Sequence, residues 1–302
     1  AGFDASIYAN MGEMDNKGVD ANLEYQTRIG NKVGLRLFGN LTYSKNKIVF
    51  RDEPAMQYAY QKSEGTRYGE FYGYIAEGYF QSEEEIKKSP RQMRELAPGD
   101  IKYKDLNDDG VIDANDQCYL GKSWFPSWSY GMGFNINYHN FDLALFFQGV
   151  SDVSIMANGG SIDTGNGDWG ASGVGIVPFT GMGLNPSNVI TKALDRWTAD
   201  NPRADAWYPR MTANATTNDN NYVNSTHWLK DGSYLRLKQA SLGYTLENKK
   251  LMDKGIEYLY FYLSGQNLLT FSKFKLWDPE LGSNGAKYPL SRMVTLGMRV
   301  SF

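Results

Sequence analysis

Residues 130–149 read YGMGFNINYHNFDLALFFQG. Tyr130, Met132, Phe134, Ile136 and Tyr138 share one face of an extended chain, and Gly131, Gly133, Asn135 and Asn137 share the other. After His139–Asn140 the alternation resumes with Phe141, Leu143, Leu145 and Phe147. A period of two is the mark of a β-strand whose faces meet unlike surroundings. The stretch therefore reads as two antiparallel strands joined by a tight link.

The same pattern recurs outward. Val19, Ala21, Leu23 and Tyr25 oppose Asp20, Asn22, Glu24 and Gln26. Val33, Leu35, Leu37, Leu41 and Tyr43 oppose Arg36, Asn40, Thr42 and Ser44. Val294, Leu296, Met298, Val300 and Phe302 oppose Thr295, Gly297, Arg299 and Ser301. Two further strands are expected from Tyr234 and from Ile256, the first changing phase between Leu237 and Ala240 as a bulge would require. Seven strands result. Their links alternate between short ones (around Asn31, at His139–Asn140, and from Glu247) and long ones (50–127, 152–233 and 270–290).

An up-and-down sheet with links sorted in this way has every short turn at one end. That is the asymmetry of transmembrane β-barrels, with short periplasmic turns, long extracellular loops, apolar residues outside and polar ones within. A soluble β-sandwich alternates too, but has no reason to sort its loops by length. Seven is odd and small for a barrel, and an open edge in lipid leaves backbone groups unsatisfied. The 302 residues are thus expected to be part of a larger wall whose first strand pairs with other polypeptide. No leader is evident at AGFDASIYAN, which reads as if in mid-architecture.

Composition narrows the chemistry. A net charge of −3 does not suggest a nucleic-acid partner. One cysteine, Cys118, excludes an internal disulfide and a multi-cysteine zinc site. Two histidines, His139 and His227, leave little for a His-based metal centre or a triad. No apolar run approaches the ~18 residues of a spanning helix. The 21 Tyr, 15 Phe, 7 Trp and 32 Gly suit a β protein.

Several stretches carry a family likeness. NMGEMDNKGVDANLEY, PGDIKYKDLNDDGVIDANDQCYLG, YGMGFNINYHNFDLALFFQGV, RWTADNP followed by YPRM, DGSYLRLKQASLGYTL, SGQNLLTF and the strand ending at Phe302 occur in that order. Together they resemble the C-terminal part of SusC/RagA-type TonB-dependent outer-membrane transporters of Bacteroidota. Cys118 departs from the pattern, where a polar or basic residue is expected. The resemblance implies a 22-stranded barrel around an N-terminal plug. It implies import of large nutrients, oligosaccharides or peptides, with a SusD-like surface lipoprotein as lid. It implies energy delivered by TonB to a segment that these residues do not include. Phe302 is taken with it as the barrel-assembly signal.

DLNDDGVIDAND, Asp105–Asp116, has the rhythm of a calcium loop. Asp105, Asn107, Asp109, the Val111 carbonyl, Asp113 and Asp116 fall at the ligand positions of a 12-residue loop, with Gly110 at the sixth. An Asx-rich turn without metal is the competing reading. A bound calcium would rivet a long loop, with Ile112 as its apolar anchor, and perform no chemistry. SEEEIKKS from Ser82 reads as a short capped surface helix, and SNVITKALDRWTADNP from Ser187 as a helix that packs Trp197 on its own loop.

All seven tryptophans fall in or beside long links. Trp128 fits an interfacial aromatic girdle. Trp169, Trp207, Trp228 and Trp277 are candidates for contact with substrate or lid, against the plainer role of packing their loops. The Gly-rich segment from Gly159 lacks the Lys-Ser/Thr ending of a phosphate loop and reads as an extracellular loop. No nucleophile stands near a base at motif spacing, so the chain is not expected to be an enzyme. The competing reading is a secreted carbohydrate-binding or glycosidase β-sandwich with structural calcium.

Overall fold

The computed structural model describes residues 11–30, 32–158, 190–211, 220–283, 285 and 288–302. β1 (Gly12–Ile29) and β2 (Val33–Arg51) form the first hairpin. The long link after them carries β3 (Glu70–Gly73), β4 (Ala76–Tyr79), β5 (Ile101–Tyr103) and β6 (Cys118–Ser123). β7 (Trp128–Tyr138) and β8 (Phe141–Ser151) form the second hairpin. The next link holds β9 (Ser154–Met156), paired with β10 (Leu229–Asp231). β11 (Tyr234–Leu246), β12 (Tyr258–Ser272) and β13 (Met293–Ser301) complete the chain. Strands β1, β2, β7, β8, β11, β12 and β13 make one seven-stranded sheet, each antiparallel to the next. It is an up-and-down meander with the expected sorting of short and long links.

Register turns the alternation of single strands into two continuous faces. Thr27, Leu35, Ile136, Leu143, Leu242, Leu263 and Leu296 lie side by side across all seven strands. One residue away, Gln26, Arg36, Asn135, Ala144, Ser241, Ser264 and Thr295 form the matching row on the opposite face. A slip of one residue in any pair would interleave the two, so the pattern fixes the pairing. The apolar face ends in aromatics. Tyr138, Phe141, Tyr244 and Phe261 line up at the short-turn end, and Tyr43 packs on Trp128 at 4.4 Å at the other. Ten residue steps separate Trp128 from Tyr138, about 33 Å along the strand. Tilted by about 45°, that is close to the ~25 Å apolar band of a membrane barrel.

The bulge lies where the phase change put it. Lys238 interrupts the register between Leu237 and Gln239 against both neighbours. On β12 the irregularity falls at Asn267, whose φ is 52° and whose Nδ2 donates to the Ser291 carbonyl. Two details differ from the sequence reading. The link after β11 is not a bare turn: Asn248 caps a one-turn helix, α2, over Lys249–Met252. The polar face is also more aromatic than expected, with Phe38 stacked on Phe146 at 6.0 Å and Arg36 over the Phe38 ring. Gly133 makes room for this pair, because a Cβ there would strike the Phe38 ring.

The sheet has no dry core of its own. Among the described residues, Tyr234 is the one buried hydrophobic side chain that belongs to its seven strands. The other described sheets are two-stranded, so the two stacked sheets of a sandwich are not what forms. The apolar core lies in the links instead. Phe71, Tyr74, Ile101, Tyr103 and Ile112 come from the first long link, and Trp197, Tyr208 and Trp228 from the second. The two links fold into one shared cap at one end of the sheet.

Candidate functional site

Hydrogen bonds show how the cap is joined. Tyr74 pairs in parallel with Ser225, and its amide donates to the Asn224 carbonyl. Below them lies a buried polar network. Gln92 Nε2 donates to the Ile101 carbonyl and to Asn220 Oδ1, and Gln92 Oε1 accepts from the Tyr103 amide. Asn221 Oδ1 accepts from the Ile101 amide, and its Nδ2 donates to Asp100. Arg210 closes the set on Asp100 at 2.7 Å, a carboxylate with no exposure. Such a network fixes a geometry only when every member is satisfied. Its two halves, 92–103 and 210–221, lie about 120 residues apart, and although Asp100, Ile101 and Tyr103 fall in PGDIKYKD and Arg210 in YPRM, nothing in either stretch announces their convergence, so sequence reasoning missed it.

Trp228 sits at the centre of the cap. It is fully buried, donates from Nε1 to the Asn221 carbonyl, and touches Trp207, Tyr208, Tyr222 and His227 ring to ring. Of the two readings for Trp228, contact with substrate or lid and packing of its loop, its burial fits packing. Trp277 packs edge-on against Phe274 at 4.6 Å and donates to the Gly282 carbonyl. Trp207 is partly exposed, at the rim of a cleft. Trp169 lies outside the described residues. Trp197 is buried as expected, in one cluster with Ala193, Ala206 and Tyr208 of its own link and also against Gly99 of the first link. The described part of the helix expected from Ser187 is a 3-10 turn, Thr191–Leu194; Ser187 itself, and the Gly-rich segment from Gly159, lie outside the described residues.

His227 is partly buried beside Trp228. Its Nε2 faces the Trp207 carbonyl at 3.2 Å, which requires that nitrogen to carry a proton and donate. Burial, aided by Lys230, pushes its pKa down to about 4 from 6.5. The folded value lies below the unfolded one. Stability from neutral His227 is thus complete above pH 6.5 and is lost as pH falls toward 4. Acidifying through that window should weaken the cap by on the order of 3 kcal/mol. Hydrogen exchange of cap amides against pH measures this, and His227→Gln should flatten the profile.

The Asp105–Asp116 loop folds on its own amides. Asp105 Oδ2 accepts from Gly110, Asn107 Oδ1 from Asp109, and Asp109 Oδ1 from Val111, at 2.8–3.1 Å. Asp113 and Asp116 form a capping box on the 3-10 turn Ala114–Asp116, and Asp116 Oδ1 accepts from Leu106. Gly110 takes φ 81°, which suits glycine at the turn. Ile112 is buried in the shared core, so its anchoring role is real. Asp105 Oδ1 is buried without a hydrogen-bond partner, as an atom awaiting a cation would be. Among the described residues no three Asp, Glu, His or Cys side chains converge as a metal cage. The nearby helix α1 (Glu83–Lys88) starts as expected, with Ser82 accepting from the Glu85 amide.

No protein-family model matches the chain. TonB-dependent receptor P26 of Formosa agariphila is 28% identical over 327 residues, covering 100% of this chain and 30% of the relative. TonB-dependent receptor P3 of the same organism is 26% identical over 326 residues, covering 99% and 30%. The chain thus spans about 30% of the length of these relatives. Among solved structures, the RagAB peptide transporter superposes with a TM-score of 0.70 at 21% identity, covering 98% of this chain and 30% of that one. The RagAB peptide importer in its "open-open" state gives a TM-score of 0.67 at 22% identity, covering 96% and 29%. The structural likenesses speak for the fold, and the sequence likenesses carry the rest. The resemblance to TonB-dependent receptors, carried by successive motifs, is thus shown along essentially the whole of this chain.

Proposed function

We propose that this chain is a section of the wall, with part of the extracellular cap, of an outer-membrane TonB-dependent transporter for large nutrients. The observation that carries the reading is the seven-strand meander whose register merges its apolar residues into one face with aromatic borders. On this reading that face meets lipid and the opposite face lines the lumen of a 22-stranded barrel. The Glu24–Arg36 ion pair at 2.8 Å and the Tyr260–Asp142 hydrogen bond at 2.9 Å suit a watery interior. Plug, TonB-contacting segment and remaining strands belong to other parts of the polypeptide. Exposed Phe302 serves as the assembly signal. The cap supplies a surface for a SusD-like lipoprotein, and the relatives, named as receptors, favour transport over bond chemistry. The RagAB neighbours favour peptide cargo over oligosaccharide. The test is uptake of labelled peptides and oligosaccharides by cells carrying the full-length protein, with and without TonB. Accumulation of neither, or uptake indifferent to TonB, would overturn the reading.

The Asp105–Asp116 loop is proposed as a calcium rivet of the cap. Spacing, Gly110 and the orphaned Asp105 Oδ1 support it. The loop's oxygens would hold the ion, whose chemistry would be to neutralise four crowded carboxylates. At saturating calcium this would stabilise residues 95–125 by on the order of 2–3 kcal/mol. Hydrogen exchange with and without chelator should show that difference, with the wall strands unaffected. Asp105→Ala with Asp109→Ala should abolish it. Protection indifferent to calcium would leave an Asx-rich turn as the right description.

A further inference from the structure

The second and third long links approach one another at a cleft of ≈ 780 Å³ beside the cap. Lys192, Lys230, Lys273 and Lys275 line it, against two carboxylates, Asp195 and Asp231. Both carboxylates already have partners, Asp195 within the cleft itself. Asp195 pairs with Lys192 at 2.8 Å and Arg203 at 3.2 Å, and Asp231 Oδ1 accepts from the Ser233 amide. Among the described residues, Lys230, Lys273 and Lys275 have no carboxylate within ion-pair reach. Lys230 is the informative one. Its Nζ donates to the His227 carbonyl at 2.6 Å and stands 5.3 Å from the centre of the Trp207 ring. Burial, then the nearby Lys192, lower its pKa, so the ammonium is held where an anion would relieve it. Trp207, Leu194 and Leu276 give the cleft apolar wall between the charges.

We infer that this cleft binds the carboxylates of an anionic cargo oligomer, whose uncharged parts rest on Trp207. Three free ammonium groups around one apolar-walled cleft select a chain carrying more than one negative charge over a neutral one. The inference rests on the import reading and names the cargo class for it. Carboxylates come from acidic peptides or from uronate sugars, and the lysines recognise what the two share.

The test uses the full-length protein in detergent. Triglutamate and trigalacturonate are titrated by calorimetry, with triglutamine and maltotriose as uncharged counterparts. Binding of at least one acidic oligomer is expected, falling as ionic strength rises. Lys230→Gln, and separately Lys273→Gln with Lys275→Gln, should each weaken it about tenfold, the scale of a lost charge-assisted hydrogen bond. Lys273 and Lys275 are exposed, so that double variant does not depend on the cap's folding. Which acidic oligomer binds identifies the source of the carboxylate. Binding of neither, equal binding of the uncharged pair, or affinity unmoved by the lysine changes overturns the inference. Membrane fractionation of the same preparation separates this from failure of the transporter reading: a protein found in the outer membrane that ignores the acidic oligomers refutes the cleft alone.

Discussion

Leu143→Arg should prevent the full-length protein from assembling in the outer membrane, while Ser241→Arg should leave assembly intact. Leu143 sits between Ile136 and Leu242 in the apolar row that crosses the whole sheet. Phe141 stands two residues away toward the short-turn border and Ser151, opposite Trp128, eight residues the other way, so Leu143 lies inside the apolar band on its short-turn side. A guanidinium there meets the apolar band without a polar partner, at a cost on the order of 2 kcal/mol, between the value at the bilayer midplane and that at the interface. Ser241 precedes Leu242 on the neighbouring strand and belongs to the other face, between Ala144 and Ser264. Arginine there reaches the polar side. The measurement is recovery of each variant in outer-membrane fractions, with heat-modifiable gel mobility as the sign of a folded barrel. Equal recovery of both variants would mean that the apolar face does not meet lipid.

Trp228→Ala should loosen both long links at once. The side chain is fully buried, holds one hydrogen bond and meets four aromatic neighbours. Truncating such a residue typically costs about 3–5 kcal/mol. A cap has few other means of stability, since its strands are short and its sheets two-stranded. Hydrogen exchange should rise in residues 71–103 and 193–229 together, while β7, β8 and β11 keep their protection. Trp277→Ala, in the smaller cluster with Phe274, should act only locally. Loss of protection confined to residues near Trp228 would mean that the links fold separately.

The wall was legible because sustained alternation of apolar and polar side chains suits an extended strand and no helix. Tyr130–Tyr138 and Met293–Ser301 alternate cleanly, and even the Lys238 bulge announced itself as a change of phase. The cap was not legible. Its core draws single aromatics such as Tyr103 and Trp228 from segments without periodicity. Trp228 was visible as a loop tryptophan, but nothing local marks a tryptophan as a keystone rather than a contact. Gln92, Asn220 and Asn221 look like ordinary turn residues, and only their convergence on Ile101 gives them a role. Ser82 was readable for the opposite reason, because a cap needs a partner only three residues away.

The parallel bridge between Tyr74 and Ser225 has a bearing on how the two links can be exchanged. Tyr74 finds its backbone partner in a segment some 150 residues later in the chain. The cap is then complete only when both links are in place. Neither link is a free-standing module. Chimeras that exchange one of them between relatives should misassemble at the surface, whereas those that exchange both as a pair should mature, which makes the pair the natural unit for recombination.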